Sequence, residues 1–321
     1  MKTFLFLLPF WYPVKIMDYF VHNPQKVEIF SEPYVAYQTN HTISVHSDIC
    51  PHQGASLSKG WLNKEGNLHC PYHGFEFCNG KFCKIPNPSD TRVKNFKGGH
   101  QMRLFPNRFE KGILYIRDDS LPLESSSIFY PPEENDKTFS SVDGYIRFPT
   151  NYLQVIENLL DMLHISYVHS FGSPQTPLPK IEKFEYLTPF HGRSTFTYQP
   201  NKKSISKVVG QVESVVVENE FILPTNTITR VTAGNTVKTV FTRCIPISEN
   251  ETILYWKLYR NFWKNVIGDF VIRHLMKKTL NEDGFILKNV YPREKVTQKI
   301  NTRYDQTIQE FRKTVETFMK N

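Results

Sequence analysis

The chain has 321 residues, of which 40% are hydrophobic, 14% aromatic and 22% charged; this excludes a disordered chain and provides core material for one large domain or two ordinary ones. The surplus of 39 Lys+Arg over 31 Asp+Glu gives a net charge of +8, which suits an acidic partner but by itself gives no ground for nucleic-acid binding. Five cysteines, a sparse and odd number, exclude a disulfide-stapled secreted scaffold and point to a reducing compartment with the cysteines kept for metal.

Residues 4–14, FLFLLPFWYPV, alone resemble a targeting signal. They fall far short of the roughly 20 apolar residues a membrane span needs, Pro9 and Pro13 interrupt them, and no small-residue cleavage site follows. A buried entry strand is predicted. No other segment is apolar enough to span a bilayer, so no membrane association and a cytoplasmic location are expected.

From about 27 to 117 the chain is dense in Gly, Pro and Asn between short β-rich runs, such as YVAYQ at 34–38, TISVH at 42–46 and ILYI at 113–116. A small antiparallel all-β unit is predicted there. Residues 118–137, DDSLPLESSSIFYPPEENDK, concentrate Pro, Ser and acidic side chains and read as a linker or exposed crossing. Val155, Ile156, Leu159, Leu160 and Leu163 give 151–168 helical spacing. Val and Thr enrichment predicts an antiparallel sheet over 208–240, and helical periodicity returns at 262–280 and 300–319, where Ile300, Tyr304, Ile308, Phe311, Val315 and Phe318 step by three or four. The fold class is therefore α+β: an all-β domain over 8–118, a linker over 119–137, and over 138–321 an antiparallel sheet with helices to one side.

Two constellations carry chemistry. Cys50-Pro51-His52 is followed, seventeen residues on, by Cys70-Pro71-Tyr72-His73. Each loop supplies one thiolate and one imidazole, which suits a two-iron cluster with Cys50 and Cys70 on one iron and His52 and His73 on the other; the two imidazoles raise its potential to roughly −150 to +300 mV. Structural zinc competes, but the usual finger groups Cys with Cys and His with His, whereas here each pair is mixed. Cys78 and Cys83 are read as buried thiols beside the cluster or, less simply, a second metal pair; Cys244 is read as a core residue. CPHQGASLSKGW (50–61) and LHCPYHGFEFCNGKFCKIPNP (68–88) resemble the cluster loops of a Rieske [2Fe–2S] domain of the oxygenase kind. FWYPV at 10–14 resembles its opening strand, and Gln53 stands where many relatives have Arg.

In the second, Asp161 and His164 are i, i+3 and share a face of a straight helix, whereas His169 would point about 140° away. For both imidazoles to meet one ion, the helix must bulge or end between them. Two imidazoles and a carboxylate make a facial triad that leaves iron positions open for dioxygen. DMLHISYVH (161–169) resembles the iron motif of Rieske non-haem iron oxygenases. That resemblance runs from about residue 8 to 285 and implies mononuclear Fe(II) on His164 and His169. It also implies Asp161 as a carboxylate bridging His164 to a cluster histidine, His73, and Asn158 beside the iron. The third ligand is expected at Asp283, with Glu282 as the alternative, in a segment where the family's Asp starts a helix. Residues 174–259 match nothing in the family closely and are expected to line the substrate pocket.

By the same resemblance the chain is an oxygenase component. It would use O2 and electrons passed through the cluster to hydroxylate, demethylate or dihydroxylate a small organic substrate, in the short O-demethylase and monooxygenase branch. A homotrimer is implied, each cluster serving a neighbour's iron. The sequence contains no dinucleotide glycine fingerprint and no plant-type ferredoxin cysteine pattern, so NAD(P)H electrons are expected through a separate reductase, with or without a ferredoxin. The competing functions are a Rieske electron-transfer or binding protein without oxygenase activity and a zinc-stabilised interaction module.

Overall fold

A computed structural model describes residues 10–17, 23–39, 42–85, 101–119, 127–175, 178–199, 212–291, 295–296 and 300–320. The chain divides into two compact units, Met1–Ser126 and Ser127–Asn321. No helix among the described residues is long and apolar enough to cross a membrane.

The first unit is all-β. Tyr12–Ile16 pairs antiparallel with Ile113–Ile116, whose four side chains are all buried; the expected entry strand is thus present, while residues 4–9 lie outside the described ones. A meander of Gln25–Ile29, Glu32–Thr39 and Thr42–Ser47 forms a second sheet. A third joins Trp61–Leu62, Leu68–His69, Glu76–Cys78 and Lys81–Lys84.

Here one expectation fails. Cys78 and Cys83 are neither buried thiols nor a metal pair but a disulfide with an S–S distance of 2.07 Å, and Cys83 is exposed. The cause is a register shift: Glu76 pairs with Lys84 and Phe77 with Phe82, which leaves Cys83 as an extra, bulged residue. With their Cα atoms 5.9 Å apart, the two are within ordinary disulfide reach. Two of the five cysteines are therefore not reserved for metal, and only Cys50, Cys70 and Cys244 are free.

The second unit is built on a seven-stranded antiparallel sheet. A meander from Lys180–Thr188 to Glu251–Arg260 supplies six strands, and Ser140–Phe148 adds itself beside the last. Residues 127–137, expected to be an exposed crossing, instead strap one face of the sheet. Glu133 is buried and accepts from Arg230 and Thr239, and Glu134 accepts from Lys257 and Tyr259. Polar composition misled because these acids are paired with sheet cations rather than with water.

The helices take the other face. Tyr152–Leu160 begins where the Asn151 side chain accepts the Gln154 N–H at 3.0 Å and buries Val155, Ile156 and Leu160. Asn219, from the middle of the sheet, donates to the carbonyls of Leu159 and Leu160 where this helix ends. Arg312 of Gln306–Lys320 grips Glu157 through two bonds of 2.6 Å. Ile308, Phe311 and Val315 are buried as expected, but Ile300 lies before the helix, 89% exposed. The remaining helix, Val266–Leu287, is capped by Asn265 and turns Ile272, Leu280, Asp283 and Leu287 inward.

Candidate metal centres

The two cysteine–histidine loops close identically. Gly54 N–H donates to the Cys50 carbonyl at 2.8 Å and Gly74 N–H to that of Cys70 at 3.0 Å; Cys50 N–H then meets Ala55 O, and Cys70 N–H meets Phe75 O. Both turns end on glycine because φ there is +74° and +68°, the left-handed region that other residues resist. The thiols of Cys50 and Cys70 point into the core with Val35, Leu57, Leu68 and Phe77. The rings of His52 and His73 lie on the exposed tips with centroids 4.8 Å apart. Burial pushes the Cys50 thiol above its usual range, and the adjoining Cys70 thiol adds to this. Two desolvated thiols side by side call for a metal's positive charge, and two inner sulfurs with two outer imidazoles are the donor set of a Rieske cluster.

The second centre forms where a helix stops early. Tyr152–Leu160 ends at Asp161, whose backbone is extended at φ −76° and ψ 126°; Asp161 Oδ1 then accepts the Leu163 N–H at 2.7 Å. A single short turn, Ile165–Val168, separates His164 at its start from His169 at its end. Asp161 and His164 therefore do not share a helix face, and the break lies before His164 as well as at His169. Asp161 Oδ2 still comes within 3.8 Å of His164 Nδ1. Asn158 stays in the helix, where its carbonyl accepts the Asp161 N–H.

The break turns the two imidazoles toward each other, with His164 Nε2 and His169 Nε2 at 3.2 Å. Asp283 Oδ1 lies 3.3 Å from the first and 3.6 Å from the second. Asp283 does not start a helix: it is in the last turns of Val266–Leu287, and 4% exposed. Its Oδ1 is buried without a hydrogen-bond partner, a state that a bare carboxylate avoids. Three donors at these separations suit one ion at about 2.1 Å from each, since right-angled and tetrahedral arrangements put ligands about 3.0 and 3.4 Å apart. The residues fit a mononuclear metal.

Glu282 serves the far side of the same ring. Its Oε2 lies 3.2 Å from His169 Nδ1 and 3.3 Å from the Ser170 N–H, so it selects the tautomer that leaves Nε2 free. Phe171 stacks on His169 at 5.1 Å. Glu282 was expected only as an alternative ligand and Phe171 was not singled out; the adjacency of Phe171 to the HxxxxH run was the available signal. Burial opposes the His164 cation, but Asp283 and Asp161 outweigh it and the pKa rises. For His169 burial prevails and the pKa falls.

Residues 10–97 match the model of the Rieske [2Fe-2S] domain, and residues 148–321, over half of the chain, match that of the vanillate O-demethylase oxygenase C-terminal domain. The chain belongs to the Rieske non-haem iron oxygenases. Within this family it is 28% identical over 177 residues to the oxygenase component of dicamba O-demethylase from Stenotrophomonas maltophilia, a match covering 54% of this chain and 50% of that one. It is 31% identical over 181 residues to the chloroplastic protochlorophyllide-dependent translocon component 52 of Arabidopsis thaliana, covering 53% and 32% respectively. The matches thus span half or less of these relatives' length. In fold it resembles dicamba monooxygenase bound to dicamba, with a TM-score of 0.78 at 19% identity over 98% of both chains.

Proposed function

We propose that this Rieske oxygenase chain is the catalytic, oxygen-using component of a multi-protein system, with cluster ligands Cys50, His52, Cys70 and His73 and iron ligands His164, His169 and Asp283. The observation that carries the reading is the meeting of two facing imidazoles with a buried, unpartnered Asp283 oxygen. When bound, a ferrous ion with open positions activates dioxygen using electrons stored in the cluster. The chain's own residues prepare that chemistry. Glu282 fixes the His169 tautomer, Asp161 places its carboxylate 3.8 Å from His164 Nδ1, and Met162 and Ile165, the chain neighbours of His164, pack in an apolar cluster with Phe196 and Val217.

By the relatives' names, O-demethylation or hydroxylation of a small organic compound is the reaction class. Electrons come from NAD(P)H through a separate reductase or ferredoxin, toward which the net charge of +8 favours an acidic carrier. A homotrimer completes the path, with His73 of one chain meeting Asp161 of the next, and we place the system in the cytoplasm. Anaerobic reconstitution tests the core of this reading: about three irons per chain and a rhombic Rieske EPR signal are expected. Asp283→Ala should keep that signal and hold only two irons. Two irons in the unaltered chain would instead support the electron-transfer reading, and colourless zinc protein would reject both.

A further inference from the structure

Three carboxylates are buried among the described residues of the first unit, and they differ in what they face. Asp118 pairs with Arg103. Asp48 and Glu76, only 2% and 6% exposed, are held by neutral donors instead. Asp48 accepts from the hydroxyls of Ser56 and Ser58 and from the Ser58 N–H. Glu76 Oε1 accepts from the side-chain amides of Asn63 and Asn67 at 3.1 and 2.7 Å. The one basic side chain within 4 Å of Glu76 among the described residues is His69, whose Nε2 stays 3.9 Å from Oε2 and has no hydrogen-bond partner. Neutral donors make a buried carboxylate tolerable and favour its charged form, but they do not cancel its field.

Both acids sit at the base of a cluster loop. The first loop closes from Cys50 N–H to Ala55 O, and beyond that bond Leu57 N–H donates to Asp48 O. The second closes from Cys70 N–H to Phe75 O, and the next pair out is His69 with Glu76. Apolar side chains flank both acids: Leu57 stands between Ser56 and Ser58, and Leu68 pairs with Phe77 beside Glu76. Those three side chains belong to the buried cluster that contains both thiols. A field that runs through packed protein is screened far less than one that runs through water. An electron added at these loops therefore meets two fixed anions, and local charge is one of the quantities that set a cluster's potential.

We propose that Asp48 and Glu76 lower the reduction potential of the cluster, one acid from each loop. This rests on the Rieske reading of the two loops. The test is a redox titration of the reconstituted full chain, followed by the rhombic EPR signal at fixed pH and salt. Asp48→Asn and Glu76→Gln keep an acceptor oxygen and remove the charge. Each should retain the cluster irons and shift the one-electron equilibrium about tenfold toward the reduced form, a rise of about 59 mV. The double variant should add the two shifts, because the acids share no partner. Glu65→Gln, in the turn between Asn63 and Asn67, removes an exposed charge and should shift the equilibrium less than about twofold. Ser58→Ala keeps the Asp48 charge and removes one of its donors, so the potential should fall; this variant decides the matter for the first loop if Asp48→Asn loses its cluster. Unmoved or lowered potentials in the two charge-removing variants, a rise in Ser58→Ala, or a Glu65→Gln shift as large as that of Glu76→Gln would each overturn the proposal. Absence of the rhombic signal from the unaltered chain would instead reject the cluster itself, and the proposal with it.

Discussion

Glu282 and Asp283 are neighbours in the chain and address opposite nitrogens of one imidazole, because His169 lies in the path of a helix whose successive side chains turn by about 100°. Asp283 takes the Nε2 side and Glu282 the Nδ1 side. Burial works against the Glu282 carboxylate, but the Ser170 and His169 bonds outweigh it and its pKa falls; it is an anion when it holds the ring. Glu282→Ala should weaken ferrous binding by about 10- to 100-fold, the usual effect of losing such a support. Glu282→Gln, which keeps an acceptor oxygen, should weaken it less, and chelator competition measures both. Equal losses in the two variants would make the charge, not the tautomer, the important property. The residue types of this site were legible in the sequence because a metal needs them. Which of two adjacent acids faces it was not, since that depends on the phase of a helix fixed elsewhere by Ile272 and Leu280.

Among the elements, the strap and the broken helix resisted reading for different reasons. Apolar spacing continues through Leu163 with no Gly or Pro to stop it, so only the bonds that Asp161 and Asn219 make with the backbone reveal the break at Leu160. The strap hid behind its acidic composition. Glu133 on the strap and Glu220 beneath it both converge on Arg230, and Glu220 also meets His191 at 2.6 Å and Arg193 at 3.0 Å. Burial raises both acids' pKa values, but these partners outweigh it and hold each below the usual carboxylate range. A depressed folded pKa contributes stability above the unfolded value of about 4.3, which is lost as pH falls through the folded value. Denaturant melts should therefore show stability declining below about pH 4.5, with a shallower decline in Glu220→Gln. Glu133→Ala at neutral pH leaves Arg230 less compensated and should destabilise the second unit by about 3 kcal/mol. A shift under about 0.5 kcal/mol would mean that the strap is decoration.

For the whole molecule, the change of texture along the chain indicated two units and the motifs placed one proposed centre in each, while the proposed assembly can be sought only on the surface. Beside Glu282, Tyr167 and Phe285 border an open groove and are each 72% exposed. Further along the same helix, Ile267 and Phe270 are about as bare. Monomers seldom leave apolar groups clustered in this way, and this group adjoins the residues proposed to hold iron. A neighbouring chain that covers the groove would also exclude water from the centre. If the proposed homotrimer forms, light scattering should give a native mass of three times 37.6 kDa. Phe285→Glu changes an exposed side chain, so it should leave folding and both metal contents intact while dissociating the assembly. In that monomer a reduced cluster mixed with oxygen should stay reduced far longer than in the unaltered protein, because the neighbouring iron that the proposed trimer supplies is gone. A Phe285→Glu protein that remains trimeric would remove the groove from the interface, and a monomer that reoxidises its cluster as fast as the native assembly would place the whole electron path within one chain.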